Sequence, residues 1–213
     1  MARRFKPLAS DLIEALPTGC AGCVFWESPE RLEHVCGAKC DVALARGWVD
    51  RVRSEWGDCG RAAVEDGEVL GFIKYAPAPF FPQAQVMPSG PPDEKAVLIA
   101  CMHISPDARQ RGLGKVLMQV ALRDLATRGV KTVQAYGTLQ QGAFETSPVV
   151  GVEFLLRMGF TVSRPHPDVP LMQLDMRSLV SWTENLEAVL ESLRIPIGVA
   201  RRSPVTNCEK GNS

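Results

Sequence analysis

Apolar residues run almost without a break through one short stretch near the middle of the chain. The residues of Val97–Ile104 are nearly all apolar, and they are bounded by Lys95 and by the turn Ser105-Pro106. A run of this length between polar and turn residues is typical of a strand buried on both faces. The sequence therefore predicts a central strand here.

The pattern changes to a helical period directly after two glycines. From Gly112 the apolar residues are three or four positions apart, and Gly129 supplies a stop. These apolar positions are Leu113, Val116, Leu117, Val120, Ala121 and Leu125. Residues 130–136 are predicted as a second strand after the helix, so the segment predicts strand, glycine turn, helix and strand in that order.

Weaker patterns predict the other strands. Asp66-Gly67 is a strong hairpin signal because type I′ turns favour these residues, and alternating residues flank it on both sides. The further predicted strands are 20–27, which would come first in the chain, then 61–65, 69–75, 161–164 and 171–176.

The remaining residues predict helices and irregular segments. Helical regions are expected at 28–56, which opens with Ser-Pro, and at 182–193. Residues 1–19 lack a clear period and are expected to lie along the surface, and the polar tail 201–213 is expected to be disordered. The proline-rich residues 76–95 predict a loop whose length is typical of functional loops.

Composition narrows the class of protein. The chain has 213 residues, 46% of them hydrophobic, and 24 basic residues balance 24 acidic ones. These values predict one domain over residues 1–200, and they give no basic field for nucleic acid or an anionic membrane. No stretch approaches a membrane span or a signal peptide, so we expect a cytoplasmic protein. Its seven cysteines are then expected to be thiols or metal ligands.

The first turn of the predicted central helix is suited to binding a phosphate. Its amide groups lack partners within the helix, and the helix dipole is positive there. Gly112 and Gly114 leave the approach open, while Arg109 and Arg111 add positive charge. Two common motifs do not fit. A dinucleotide fingerprint needs glycine at position 117, which is leucine, and a P-loop needs Gly-Lys followed by Ser or Thr.

A third phosphate motif does fit. The residues Arg109-Gln110-Arg111-Gly112-Leu113-Gly114 resemble the Arg/Gln-x-x-Gly-x-Gly/Ala signature of the GCN5-related N-acetyltransferases (GNAT), and residues 149–160, ending in Gly-Phe, resemble a later helix of that family. The resemblance covers about residues 61–176. It implies an α/β fold with a mixed, mostly antiparallel central sheet of six or seven strands and helices on both faces. Residues 20–27 and 56–60 also resemble an actinobacterial subgroup.

The resemblance implies a set of cofactor contacts. In the family, the strand before the glycine turn carries a bulge and diverges from the next strand, so that the pantetheine arm pairs with its backbone. A backbone N–H at that strand end can stabilise the developing oxyanion, a contribution on the order of 3 kcal/mol. The residues thereby expected to contact acetyl-coenzyme A are Met102, His103, Ile104, Arg109, Gln110, Arg111, Gly112, Leu113, Gly114 and Lys115.

Proton transfer is where the chain departs from the family. Leu155 occupies the position of a frequent tyrosine acid, and Pro148 that of a frequent asparagine. Either solvent or Tyr136, at the end of the next strand, is expected to protonate the leaving thiolate. His103 is the candidate base because imidazole titrates near neutral pH, although a packed or surface histidine also fits. The alternative bases are Asp93, Glu145 and Glu153.

Four cysteines have the spacing of a small zinc finger, namely Cys20, Cys23, Cys36 and Cys40. Cys59 could add a ligand. The packing disagrees with this interpretation, because Glu27 and Glu33 stand where a finger needs apolar residues. The sequence therefore disfavours zinc, and the cysteines equally fit small apolar side chains in a core.

Together these observations predict an enzyme that moves an acetyl group from acetyl-coenzyme A to an amine of a small molecule or protein, by direct attack in a ternary complex. The alternative is a catalytically weak acyl-coenzyme A-binding protein whose cysteine-bearing N-terminus binds a partner or a metal. The resemblance also allows a homodimer, which is common in the family.

Overall fold

Eight strands and three α-helices form the part of the chain that the computed structural model describes, residues 3–17, 19–30, 39–109, 112–140 and 148–179. The strands are β1 (Arg4–Pro7), β2 (Gly60–Glu65), β3 (Glu68–Pro77), β4 (Val97–Ile104), β5 (Thr132–Thr138), β6 (Val150–Gly151), β7 (Thr161–Arg164) and β8 (Leu171–Asp175). The helices are α1 (Val42–Glu55), α2 (Leu113–Thr127) and α3 (Val152–Arg157). The predicted helix 182–193, the tail 201–213, Gln110, Arg111, Cys36 and Glu145 lie outside the described residues.

The strands form one mixed sheet in the order β1-β2-β3-β4-β5-β8-β7, and β6 pairs with β5 off this path. Only the pairs β4/β5 and β5/β6 are parallel, and the other described pairs are antiparallel. The predicted sheet is therefore confirmed, with seven strands on its main path and the two-residue β6 as an eighth. None of the helices that the structure describes has the length and apolar character needed to cross a bilayer.

Helices cover both faces of this sheet, as predicted. Trp48 and Val52 of α1 pack in the apolar cluster on one face with Phe72 of β3. Leu117 of α2 and Leu155 of α3 pack in the cluster on the other face, which the next residue of β3, Ile73, joins. This alternation follows from the period of two along a strand, and each fully buried side chain of this size contributes about 2 kcal/mol.

The local sequence signals around the centre of the sheet are confirmed. The predicted central strand is β4, with the same bounds. Asp66 and Gly67 have φ angles of 52° and 90°, the left-handed values that a type I′ hairpin turn requires. The predicted helix is α2, and it ends before Gly129. Gly129 has a φ of 72°, a left-handed value that stops the helix. The predicted closing strands are β7 and β8.

The prediction for the N-terminal segment is wrong. Residues 20–27 form turns, and the one bridge they make to another described residue is the isolated antiparallel bridge of Cys23 with Cys40. Gly19 and Gly22 have positive φ angles that bend the chain. Val24 and the four residues after it are all buried, because the chain folds back on itself where the Ser28 N–H donates to the Val24 carbonyl at 2.9 Å.

Three other boundaries differ from the prediction. The first strand is β1, in a region without a clear period that was expected only to lie along the surface, where the backbone of Arg4–Pro7 pairs with β2. Helix α1 begins only at Val42, because the Asp41 carboxylate accepts the Leu44 N–H at 2.9 Å and caps it. Residues 150–151, predicted as helix, form β6. The loop after β3 contains two short 3-10 helices, Ala78–Phe80 and Pro82–Val86.

Candidate active site

The sheet opens where β4 and β5 diverge. The parallel pairing of β4 with β5 covers only Val97 to Ile99 of β4. Ala100 then has no partner in the register with β3, since Ile99 pairs with Tyr75 and Cys101 with Lys74, which is a bulge. Beyond this point β5 pairs with β6 instead. The expected bulge and divergence are both confirmed, and they explain why residues 101–104 are half-buried rather than fully buried.

A cavity of about 540 Å³ lies at this opening, between β4, α2 and α3. Eight of the ten residues predicted to bind the cofactor line it: Met102, His103, Ile104, Arg109, Gly112, Leu113, Gly114 and Lys115. The other two, Gln110 and Arg111, lie outside the described residues. Sequence reasoning missed four lining residues, Ala108, Val150, Phe154 and Arg157. Phe154 and Arg157 are three positions apart, which places them on one face of a helix. This spacing was the only sequence signal that could have indicated that both line the cavity.

The N-terminus of α2 forms one end of this cavity and is suited to an anion. Gly112 is the N-cap at φ 72°, and no side chain of the described residues caps the helix. The first amide to bond back within the helix is that of Val116, which donates to the Gly112 carbonyl at 3.2 Å. Within the described residues, the amides of the preceding turn therefore have no acceptor in the helix and can donate to a ligand. Arg109, Lys115 and Arg157 add positive charge to the lining.

The edge of β4 supplies backbone groups to the same cavity. The Ser105 N–H donates to the Leu70 carbonyl at 2.8 Å. Because hydrogen-bonded and non-bonded pairs alternate in an antiparallel ladder, His103 also bonds to β3, whereas the backbone groups of Met102 and Ile104 point to the opposite edge. The Ile104 carbonyl indeed accepts the Arg109 Nε–H there, at 3.1 Å. An extended ligand can thus pair with β4 at this edge.

His103 lies at the border of two cavities. Its ring stacks on Phe72 with centroids 6.5 Å apart and planes at 24°. Besides the large cavity, it lines a small one of about 20 Å³, and Met102 is the other residue that both cavities share. The small cavity also contacts Glu27 and Lys74, which form a buried ion pair. The structure therefore brings the predicted base to the opening.

The structure does not bring Tyr136 there. Its side chain lines neither cavity, and its ring stacks on Trp26 at 5.8 Å. The hydroxyl lies 2.9 Å from the Ala84 carbonyl and 2.7 Å from the Gly90 carbonyl, and it donates its proton to these acceptors. Burial raises the pKa of this phenol. Tyr136 therefore fastens the loop after β3, and this geometry gives its predicted acid role no support.

Two of the three alternative bases, Asp93 and Glu153, lie in the described part of the chain, away from this opening. The Asp93 N–H donates to Gln134 Oε1 at 2.8 Å, and Gln134 Nε2 donates to the Asp93 carboxylate at 2.9 Å. Glu153 is exposed on α3, with a carboxylate oxygen 3.8 Å from Arg157. Neither carboxylate lines the large cavity or the small one.

The cysteines divide into buried and accessible thiols. Cys20 and Cys59 are buried, and burial raises the pKa of Cys20 to about 11 and that of Cys59 to about 12. Cys23 is half-buried and Cys40 exposed. Within the described part of the chain, no three potential metal-ligating residues are placed to hold an ion.

Comparison with known families decides the identity of this fold. Residues 24–144, more than half of the chain, match the model of the acetyltransferase (GNAT) family. The chain belongs to the GNAT family. This GNAT protein is therefore an acetyltransferase, as its sequence predicted. The proposed relation to an actinobacterial subgroup stays a prediction, and comparison with curated proteins returns no match.

Solved acetyltransferase structures share the fold at low sequence identity. The PaiA N-acetyltransferase of Thermoplasma acidophilum, in complex with coenzyme A, is 15% identical at a TM-score of 0.53, over 82% of this chain and 99% of that one. YncA of Salmonella typhimurium, a putative acetyltransferase with acetyl-coenzyme A, is 16% identical at 0.56, over 83% and 95%. An N-acetyltransferase of Staphylococcus aureus is 13% identical at 0.56, over 83% and 99%.

Proposed function

We propose that this protein transfers an acetyl group from acetyl-coenzyme A to an amine by direct attack in a ternary complex. The observation that carries the proposal is the cavity between β4, α2 and α3, which ends at the N-terminus of α2, where no side chain of the described residues caps the helix. An open strand edge and an anion site in one cavity suit a ligand with an extended arm and a diphosphate. Family membership favours transfer over the weak acyl-coenzyme A-binding alternative.

Different lining residues would bind different parts of acetyl-coenzyme A. The amides of Leu113, Gly114 and Lys115 would bind the diphosphate, with the three lining cations around them. The edge of β4 would pair with the pantetheine arm. The coenzyme A complexes of PaiA and YncA support this assignment, because both proteins share the fold.

The reaction then follows from the groups at the opening. The neutral amine attacks the thioester carbonyl, and the Met102 or Ile104 N–H would donate to the developing oxyanion. His103 would accept the proton of the amine. The carbon–sulfur bond breaks, and the leaving thiolate, with a pKa around 8 to 9, takes a proton from solvent. Cys20 is no competing nucleophile, because burial holds its pKa at about 11 and keeps the thiol protonated.

The release of coenzyme A thiol tests the proposal. Wild-type protein should release it from acetyl-coenzyme A only when an acceptor amine is present. His103→Ala should lower kcat by roughly 100-fold and change the dependence of the rate on pH. An unchanged pH profile in this variant would remove His103 as the base. Silence with every amine tried, despite cofactor binding, would contradict transfer itself.

A further inference from the structure

Two cysteines face each other where the N-terminal turns meet the start of α1. Cys23 and Cys40 form the isolated antiparallel bridge described above. Backbone hydrogen bonds join the residues on either side of this bridge, namely the Asp41 N–H to the Gly22 carbonyl at 2.8 Å and the Val24 N–H to the Lys39 carbonyl at 3.1 Å. Because these bonds flank the bridge, the two cysteines are a non-hydrogen-bonded pair of an antiparallel ladder.

This register brings the two cysteine side chains together on one face of the bridge. In a non-hydrogen-bonded pair the Cα atoms lie about 4.5 Å apart, and the side chains are closer than in a hydrogen-bonded pair. A disulfide requires Cα atoms about 4.4 to 6.8 Å apart. The backbone at Cys23 and Cys40 therefore has the spacing that a disulfide needs, while both side chains are thiols in this structure.

Access and ionisation favour this pair over the buried thiols. Cys40 is exposed and Cys23 is half-buried, so a small reagent can reach the pair from solvent. Exchange between thiols and disulfides requires a thiolate. Burial raises the pKa of Cys20 to about 11 and that of Cys59 to about 12, which keeps both thiols protonated near neutral pH.

We propose that Cys23 and Cys40 are a redox-active pair that forms a reversible disulfide by exchange with a low-molecular-weight disulfide. The Cys40 thiolate attacks one sulfur of the reagent, so that a mixed disulfide forms and one small thiolate leaves. The Cys23 thiolate then attacks Cys40 Sγ, the protein disulfide forms, and the second small thiolate leaves. The protein loses two electrons and two protons, and the reagent is reduced to two thiols.

The disulfide fastens the N-terminal turns to the first helix. Cys40 directly precedes Asp41, the N-cap of α1, and Cys23 lines the small cavity beside His103. The bond closes the loop of residues 23–40, which restricts the unfolded chain more than the folded one. Oxidation therefore stabilises the protein and fixes one wall of the small cavity.

Oxidation with glutathione disulfide, followed by peptide mapping, tests the proposal. Folded wild-type protein is equilibrated with glutathione disulfide and glutathione, alkylated at its remaining thiols, and cleaved with trypsin. Cleavage after Lys39 and after Arg46 releases Cys40 on a short peptide. Cys20 and Cys23 share a different tryptic peptide, and fragmentation of the crosslinked species shows which of the two is bonded. We expect the bond at Cys23, and dithiothreitol should reverse it.

Stability and variants supply the quantitative test. Oxidised wild-type protein should melt about 5 to 10 °C above reduced protein. By linkage, the equilibrium constant for disulfide formation should be about 100-fold larger in the folded protein than in concentrated urea. Cys40→Ser should show neither the crosslink nor the shift in melting temperature. Cys101→Ser is the matched control, because it removes another half-buried thiol, and it should keep both.

Three results would overturn the inference. The first is folded wild-type protein that forms no bond between Cys23 and Cys40 in excess glutathione disulfide. The second is a bond that forms no more readily in the folded protein than in urea. The third is a different pairing, such as Cys20 with Cys23 or any bond to Cys36, because the register of the bridge would then not select the pair. None of these results depends on whether the protein transfers acetyl groups.

Discussion

Gly114 has no Cβ, and this leaves space in the cavity. A Cβ at this position would lie 3.7 Å from both Met102 Cε and Phe154 Cε2 and 3.9 Å from Ile104 Cγ1. These are ordinary contacts, so the fold has room for a methyl group. The same three side chains line the cavity, which means that the methyl group would occupy space needed by the cofactor.

Gly114→Ala should therefore weaken acetyl-coenzyme A binding by about tenfold in calorimetry while leaving the melting temperature unchanged or slightly higher, since alanine stabilises a helix by about 0.5 to 1 kcal/mol relative to glycine. Gly47→Ala in α1 is the control, because nothing lies within 4 Å of its added Cβ. It should change stability in the same direction and leave affinity unaltered. Equal affinities of both variants would contradict the assigned role of Gly114.

At the scale of elements, one carboxylate fixes α2 against the sheet. Asp124 of α2 pairs with Arg61 of β2 and accepts the Tyr75 hydroxyl of β3 at 2.7 Å. Arg128, one turn later, donates to the Trp56 carbonyl at 2.8 Å and to the Asp58 carbonyl at 2.7 Å. Since α2 begins at the glycine turn, these bonds also hold the anion site in place.

Asp124→Ala should lower the free energy of unfolding by about 2 to 3 kcal/mol. The half-buried Arg61 and the buried Tyr75 would both lose the carboxylate that accepts their hydrogen bonds. Denaturant titration measures this change. Glu153→Gln serves as the control, since its ion pair with Arg157 is exposed and such pairs contribute little. Equal losses in the two variants would show that Asp124 does not anchor the helix.

The helices and strands differ in how far the sequence alone could predict them. β4 and α2 carry their own signals, an unbroken apolar run and a helical period after glycine, so their bounds follow from local pattern. Phe154 and Arg157 reach the cavity only because β5 leaves β4 to pair with β6, a long-range event without a local signature. Phe25 and Trp26 are both buried although they are neighbours, because a folded turn overrides the alternation expected of a strand.

Across the whole molecule, burial raises the pKa of the described buried thiols and phenols, and it lowers none of them. Burial raises the pKa of Cys20 to about 11 and of Cys59 to about 12, and burial together with Asp124 raises that of Tyr75. Groups with a raised folded-state pKa stabilise the protein fully below their unfolded pKa, and that contribution is lost as pH rises. Unfolded cysteine and tyrosine titrate at about 8.5 and 10.

The free energy of unfolding should therefore decline steadily from about pH 9 to pH 11, as measured by urea titration at each pH. Cys59→Ala should flatten part of this slope, whereas Cys40→Ala, which removes an exposed thiol, should leave it unchanged. Stability that is constant or rises over this range would contradict the burial of these groups.

The central claim is that acetyl-coenzyme A binds in the cavity between β4, α2 and α3 with its diphosphate at the N-terminus of α2. The most direct measurement is a titration of the labelled protein with acetyl-coenzyme A, followed through its backbone amide resonances. We expect saturation at one equivalent, with the largest changes at Met102, Ile104 and residues 112–115. The account is contradicted if the amides of Gly112 and Gly114 do not move, or if the largest changes lie away from this cavity.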